Sequence, residues 1–142
     1  MEPSMQDVGL AVKQLQWRHH REANRRLRLE VGISLVQWDV LRDLHRDPDL
    51  SLHDLAMQTF QTDQSMGELA KRMVARGLLT RVDGPGRAVR HRLSDAGEAA
   101  YQAGSGIVDS ILAESIGLLT ADEQASLHAM LTKAASGLPI AP

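Results

Sequence analysis

The residues best suited to chemistry lie between positions 62 and 92, and the chemistry they suit is recognition of anions and base edges. Thr62-Asp63-Gln64-Ser65 gathers short polar side chains into a single turn of chain. Gln64 has the geometry for a bidentate pair with adenine, and Ser65 suits either a base or a phosphate. Gly67 leaves room for close approach. Lys71 and Arg72 follow one to two helical turns later, where they suit a sugar-phosphate backbone. Glu68 is the awkward member: it suits cytosine N4 or a pair with Lys71 or Arg72, and it opposes phosphate. Further on, Gly84-Pro85-Gly86-Arg87 sets a glycine-flanked arginine on a turn, suited to a narrow minor groove where negative potential is strongest. Arg90 and Arg92 share one side of an alternating stretch, with His91 opposite, and suit flanking backbone. From residue 71 to 92 there are seven basic side chains against one acid, Asp83. From residue 94 onward there are six acids against Lys133. A net charge of −2 therefore hides a localised anion-binding face.

The elements that must position these residues are readable from caps and periodicity. Ser51 caps a short helix, with Asp54 at the third position and Leu52, Leu55 and Ala56 inward. Thr62 caps a second helix to about Ala75, with Met66, Leu69, Ala70 and Met73 on its buried face. Gly77 is the expected left-handed residue at its end. Leu78 to Val82 and Ala88 to Leu93 read as strands joined by the turn Asp83-Gly-Pro-Gly86. Helix, turn, helix and basic hairpin in this order describe a winged helix-turn-helix, an architecture that docks on DNA.

Four more helices frame that unit. Residues 6 to 30 carry Val8, Val12, Leu15, His19, Ala23 and Leu27 at helical spacing, and Gly32 stops them. Ser34 opens the next helix with Gln37 as capping-box partner; Val36, Trp38, Val40, Leu41 and Leu44 supply its apolar face, and Asp47-Pro48 ends it. Ser94 starts a helix rich in alanine (Ala96, Ala99, Ala100, Ala103), followed by Ile107, Ile111 and Leu112. Thr120 and Glu123 form a capping box for the last helix, with Leu127, Met130, Leu131 and Ala134, before a frayed tail from Gly137 to Pro142. The fold class is mainly α with a small β-hairpin wing, in one domain of 142 residues. Residues 34–94 form the winged lobe, and 1–33 and 95–142 are surplus helices suited to dimerisation, since readers of two-fold DNA sites need a platform.

Composition narrows the classes further. Apolar residues make up 43% and charged residues 24%, ordinary for a soluble globular protein. No run of 18 apolar residues occurs, so no membrane partner is expected. The opening MEPSMQDVGL lacks the pattern of a signal peptide, and cysteine is absent, which together favour a cytoplasmic setting.

In this order and spacing the residues resemble the MarR family of bacterial winged-helix regulators over nearly the whole chain. The resemblance rests on Leu55-Ala56, the segment Thr62 to Met73, Arg76-Gly77-Leu78-Leu79, Arg81, and Leu93-Ser94-Asp95-Ala96-Gly97, where the family has Leu-Thr-x-x-Gly. Gln37-Trp38-x-Val40-Leu41 resembles the family's second-helix signature. Two positions depart from the pattern: Pro85 stands where the family wing usually carries Asp, with the paired arginine kept as Arg87, and Glu68 stands where the recognition helix often has arginine. The resemblance implies a homodimer whose first, fifth and sixth helices interlock, with two lobes on double-stranded DNA at a near-palindromic operator. It also implies transcriptional repression relieved by a small, often aromatic or phenolic, ligand between the dimer helices and the lobe. His19, Trp38, Arg42 and His45 fall on helices that would line such a cleft, although a core anchor is the plainer reading of Trp38 and a satisfied buried histidine that of His19.

Other classes have less behind them. A metal-responsive regulator of the same fold would draw on six histidines, yet no pair stands at i, i+4 on a helix and no cysteine helps, so no metal site and no cofactor is expected. No phosphate loop, nucleophile elbow or other catalytic motif is present, so an enzyme is not expected. A winged helix serving protein interaction would keep the fold without requiring the basic wing.

Overall fold

The computed structural model describes residues 1–83 and 89–140. Its elements run α1 (Met5–Glu30), α2 (Leu35–Arg46), α3 (Leu52–Gln58), α4 (Asp63–Ala75), β1 (Leu79–Asp83), β2 (Val89–Leu93), α5 (Asp95–Glu114) and α6 (Ala121–Ala135), with a 3-10 turn at Ile116–Leu118 before α6. The predicted caps are made. Ser34 accepts from the Gln37 backbone N–H while Gln37 Oε1 accepts from that of Ser34, at 3.2 and 2.9 Å. Ser51 with Asp54 and Thr120 with Glu123 repeat this reciprocal box, and Ser4 with Asp7 adds one at the start of α1. Each such cap contributes about 1 kcal/mol.

The lobe closes on a single apolar core. Leu27, Ile33, Val40, Leu41, Leu44, Leu55, Met66 and Met73 are fully buried, so α2, α3 and α4 are locked to the second half of α1. The α4 terminus is a Schellman motif: Leu78 N–H reaches Met73 O and Gly77 N–H reaches Val74 O, both at 2.9 Å, with Gly77 at φ 77°. This bonding explains why β1 begins at Leu79, one residue later than the pattern predicts: the Leu78 N–H is committed to the helix end. The antiparallel hairpin pairs Leu79 with Leu93, Arg81 with His91 and Asp83 with Val89. The turn from α3 to α4 passes through Phe60 at φ 60°, a left-handed position where glycine is the easier residue.

Two glycines of α5 fix how it meets the lobe. A Cβ on Gly97 would overlap the Leu78 carbonyl, and one on Gly104 would overlap the Trp38 ring. Ser94 binds the same corner, its Oγ accepting from Gly97 N–H and donating to Gly77 O, while its N–H reaches Leu78 O at 3.1 Å. The inward stripe of α5 is thus Gly97, Gly104, Val108 and Ile111. Ala96, Ala99 and Ala103 face outward.

The α1 stripe read from sequence divides in two. Ala23 and Leu27 are buried against the lobe, whereas Val8, Val12 and Leu15 are exposed. Those three line an apolar groove of about 590 Å³ with Leu112, Ile116, Met130 and Leu131 from the α5–α6 end. Arg26 ties this region together, pairing with Glu22 on α1 at 2.7 Å and Glu114 on α5 at 2.6 Å.

Candidate nucleic-acid interface

Helix α4 presents the candidate reading surface. Thr62 Oγ1 accepts from Ser65 N–H at 3.0 Å, which fixes the first turn. Met66, Leu69, Ala70 and Met73 are all buried, as their spacing predicts. The opposite face is set by helical geometry: Gln64, Glu68 and Lys71, at i, i+4 and i+7, form its exposed centre. Gly67 lies beside them, and a Cβ added there would meet nothing within 4 Å, so close approach is open at this point. Thr62 and Ser65 are exposed at the helix start. Arg72 is exposed on a different flank. With Arg76, His20, Asn24 and Arg28 it borders a polar cleft of about 440 Å³ between α1 and the lobe. Arg76 donates there to Gly32 O at 2.7 Å.

On the hairpin, alternation is as expected: His91 is buried, with Arg90 half-buried and Arg92 exposed on the other side. Arg90 donates to Val89 O at 3.2 Å, and Arg81 stands 3.5 Å from Asp83. His91 borders a cavity of about 300 Å³ beneath α4, shared with Leu52, Ala70, Lys71 and Val74. Burial, and secondarily Arg81, pushes its pKa below the ordinary value. Pro85 and Arg87, the hairpin tip singled out in the sequence, lie outside the described residues.

Three of the four candidate ligand contacts come together. Trp38 is buried between α2 and α5, its Nε1–H donating to Tyr101 O at 3.2 Å. Arg42 lies over the Trp38 ring at 5.2 Å and is held by Asp39 and Asp43 at 3.1 and 3.0 Å. His45 stacks on Tyr101 with ring centroids 4.3 Å apart, and its Nδ1 stands 3.0 Å from Glu98. Trp38 is the anchor its plainer reading describes. His19 stands apart from these three: it is half-buried in the apolar groove between α1 and α6, and is not a core histidine. Burial, then neighbouring His20, lowers its pKa. Sequence reasoning missed Tyr101 and Glu98. The signal that could have found them is their place on the turns between Gly97 and Gly104, the two glycines that bring α5 close to α2.

A further contact joins the two helices of the helix-turn-helix. His53 Nδ1 on α3 lies 2.9 Å from Asp63 Oδ1 at the first position of α4. Both side chains are exposed.

This arrangement defines a winged helix-turn-helix lobe carried by a helical platform. Residues 31–88 match the sequence model of the MarR family, and no curated protein matches the chain in sequence. The fold match covers nearly the whole chain. The DNA complex of Staphylococcus aureus MepR superposes with a TM-score of 0.81 at 20% identity, covering 91% of this chain and 94% of that one. The PcaV transcriptional regulator from Streptomyces coelicolor gives 0.71 at 27% identity, over 92% and 98%. A Mycobacterium tuberculosis MarR family protein in complex with p-aminosalicylic acid gives 0.72 at 24%, over 89% and 97%. The chain is thus similar to MarR-family proteins in sequence over residues 31–88 and in fold over nearly its whole length.

Proposed function

We propose that this chain is a sequence-specific DNA-binding transcriptional regulator, acting as a homodimeric repressor that a small ligand releases from its operator. The observation that carries this reading is the Gln64–Glu68–Lys71 stripe, exposed on a capped helix beside a basic hairpin. In this reading Thr62, Gln64, Ser65 and Gly67 meet the major groove, and Lys71, Arg72 and Arg90 meet backbone phosphates. Arg87 is assigned to the minor groove on its sequence position alone. The MepR structure bound to DNA supports docking through this fold.

The homodimer rests on the uncovered groove of α1, α5 and α6, whose exposed Val8, Val12, Leu15, Met130 and Leu131 a second copy would cover. The ligand rests on two features. The cleft behind α2 gathers Arg28, Arg72 and Arg76, which suits a small anion, and Arg72 belongs to the recognition helix itself. Trp38, Arg42 and His45 offer a second wall on the α2–α5 face. The relative crystallised with p-aminosalicylic acid makes an aromatic acid the first compound to test.

Fluorescence anisotropy with a labelled duplex pool tests the DNA reading. Affinity should fall steeply with salt, because phosphate contacts release counterions. Arg87→Ala should cost about 1–3 kcal/mol if that side chain makes a good groove contact. Salt-insensitive binding, or none at low salt, would favour a protein-interaction module instead.

A further inference from the structure

We infer that His53 is a positioning residue for DNA binding: it holds and neutralises Asp63 at the start of the recognition helix, so that protonation of this imidazole sets how readily α4 approaches phosphate. The inference rests on the DNA-binding reading above and adds a residue and a regulation to it.

The geometry is specific. Asp63 is the first residue of α4, and His53 is the second residue of α3. Their 2.9 Å contact spans ten residues of chain, and among the described residues no other side-chain hydrogen bond joins α3 to α4. For the isolated helix, a carboxylate in the first turn is favourable, because it meets the positive end of the helix dipole. For a helix that must bring this turn to DNA, the same carboxylate is a liability. The N-terminal N–H groups that attract phosphate are then fronted by a negative charge. A protonated His53 removes the conflict by pairing with Asp63 while leaving Gln64 and Ser65 free.

The other charges around the pair do not replace this role. Asp54, next to His53 on α3, accepts from Ser51 N–H at 3.0 Å in its own cap. That bond holds its carboxyl below the ordinary range, so it stays ionised. Arg90 on β2 faces Asp54, and on α4 Glu68 and Lys71 lie one to two turns beyond Asp63. The bond to Asp63, with a smaller contribution from Asp54, raises the His53 pKa above its ordinary value of 6.5. The sign follows. Below the raised pKa the pair is neutral overall and binding is favoured; as pH rises through it, Asp63 is left uncompensated and binding weakens.

The test is anisotropy with a labelled random-sequence duplex pool at low salt, from about pH 5.5 to about pH 8.5, on the full chain and on His53→Gln, Asp63→Asn and the double variant. Both positions are exposed, and thermal unfolding checks that each variant keeps the fold. The wild-type chain should lose about two- to fivefold more affinity across this range than His53→Gln, the change an exposed ion pair supports. His53→Gln should bind more weakly at the acid end, Asp63→Asn more tightly at the alkaline end, and Asp63→Asn should rescue His53→Gln. The remaining histidines are common to all four proteins, so the differences between them report on the pair. A His53→Gln protein with the wild-type pH profile overturns the inference, since glutamine keeps a hydrogen bond and loses only the charge. Additive single effects overturn it too. A wild-type chain that binds no duplex at any pH overturns the DNA reading as well, so the two failures are distinguishable.

Discussion

The winged lobe and the helical platform are built from the same kinds of helix and end in opposite states. In the lobe, the apolar stripes of α2 and α4 find their partners within the chain: Leu41 and Met66 are completely buried. On the platform, Val12 and Leu15 of α1 and Met130 and Leu131 of α6 have the same chemistry and periodicity but remain exposed. Helix α6 has no buried residue at all, although its capping box is complete. Local signals therefore form a helix in either place. Tertiary closure decides whether its apolar face is core or interface.

Substitutions can break or sharpen this contrast. The largest effect is expected in the lobe: Leu41→Ala should cost about 2–5 kcal/mol, a transfer loss plus a cavity, at every protein concentration. A lowered urea midpoint with an unchanged m-value would show it. Gly97→Ala comes next. Its new methyl would overlap the Leu78 carbonyl, and backbone cannot move aside as a flexible side chain would. About 2–4 kcal/mol should be lost, again by urea unfolding. Leu15→Glu probes the platform and should have a different signature. It should leave the lobe folded by circular dichroism yet weaken the proposed self-association more than about tenfold, read by sedimentation. Equal damage to folding and association would remove the distinction between the two regions.

The smallest effect concerns pH and belongs to the lobe. His91 is buried beneath α4 with its pKa lowered by burial. The folded state thus binds its proton less readily than the unfolded state. Its contribution is present above about pH 6.5, the ordinary histidine value, and is lost as pH falls toward the folded pKa. Stability of the intact chain should decline below that point, and His91→Leu should flatten the decline. An unchanged slope would show that the wing root does not sense its histidine.

Much of this is legible in the sequence because the signals are local. The cap residues Ser34, Ser51, Thr62, Ser94 and Thr120 each start a helix, and Gly77 adopts the left-handed turn expected of it. The α4 stripe is buried as its spacing requires. What sequence does not show is which neighbour covers a stripe. Periodicity alone gives α1 one continuous apolar face, whereas the fold divides it at His19 between groove and core. The alanines of α5 are its most visible small residues, yet the close contacts fall to Gly97 and Gly104, seven residues apart on one helix face. Trp38, Arg42 and His45 are grouped by the family resemblance, and their meeting with Tyr101 is a tertiary event. The His53–Asp63 bond spans a turn whose path depends on Phe60 and carries no periodic signal.

The most direct test of two-fold DNA reading is selection of the purified chain against a random duplex DNA library, followed by sequencing. Enrichment of an inverted repeat, with half-sites about one helical turn apart, is the predicted result, because the proposed homodimer would present two lobes to two-fold related sites. Failure of the folded chain to enrich any sequence at low salt would contradict it.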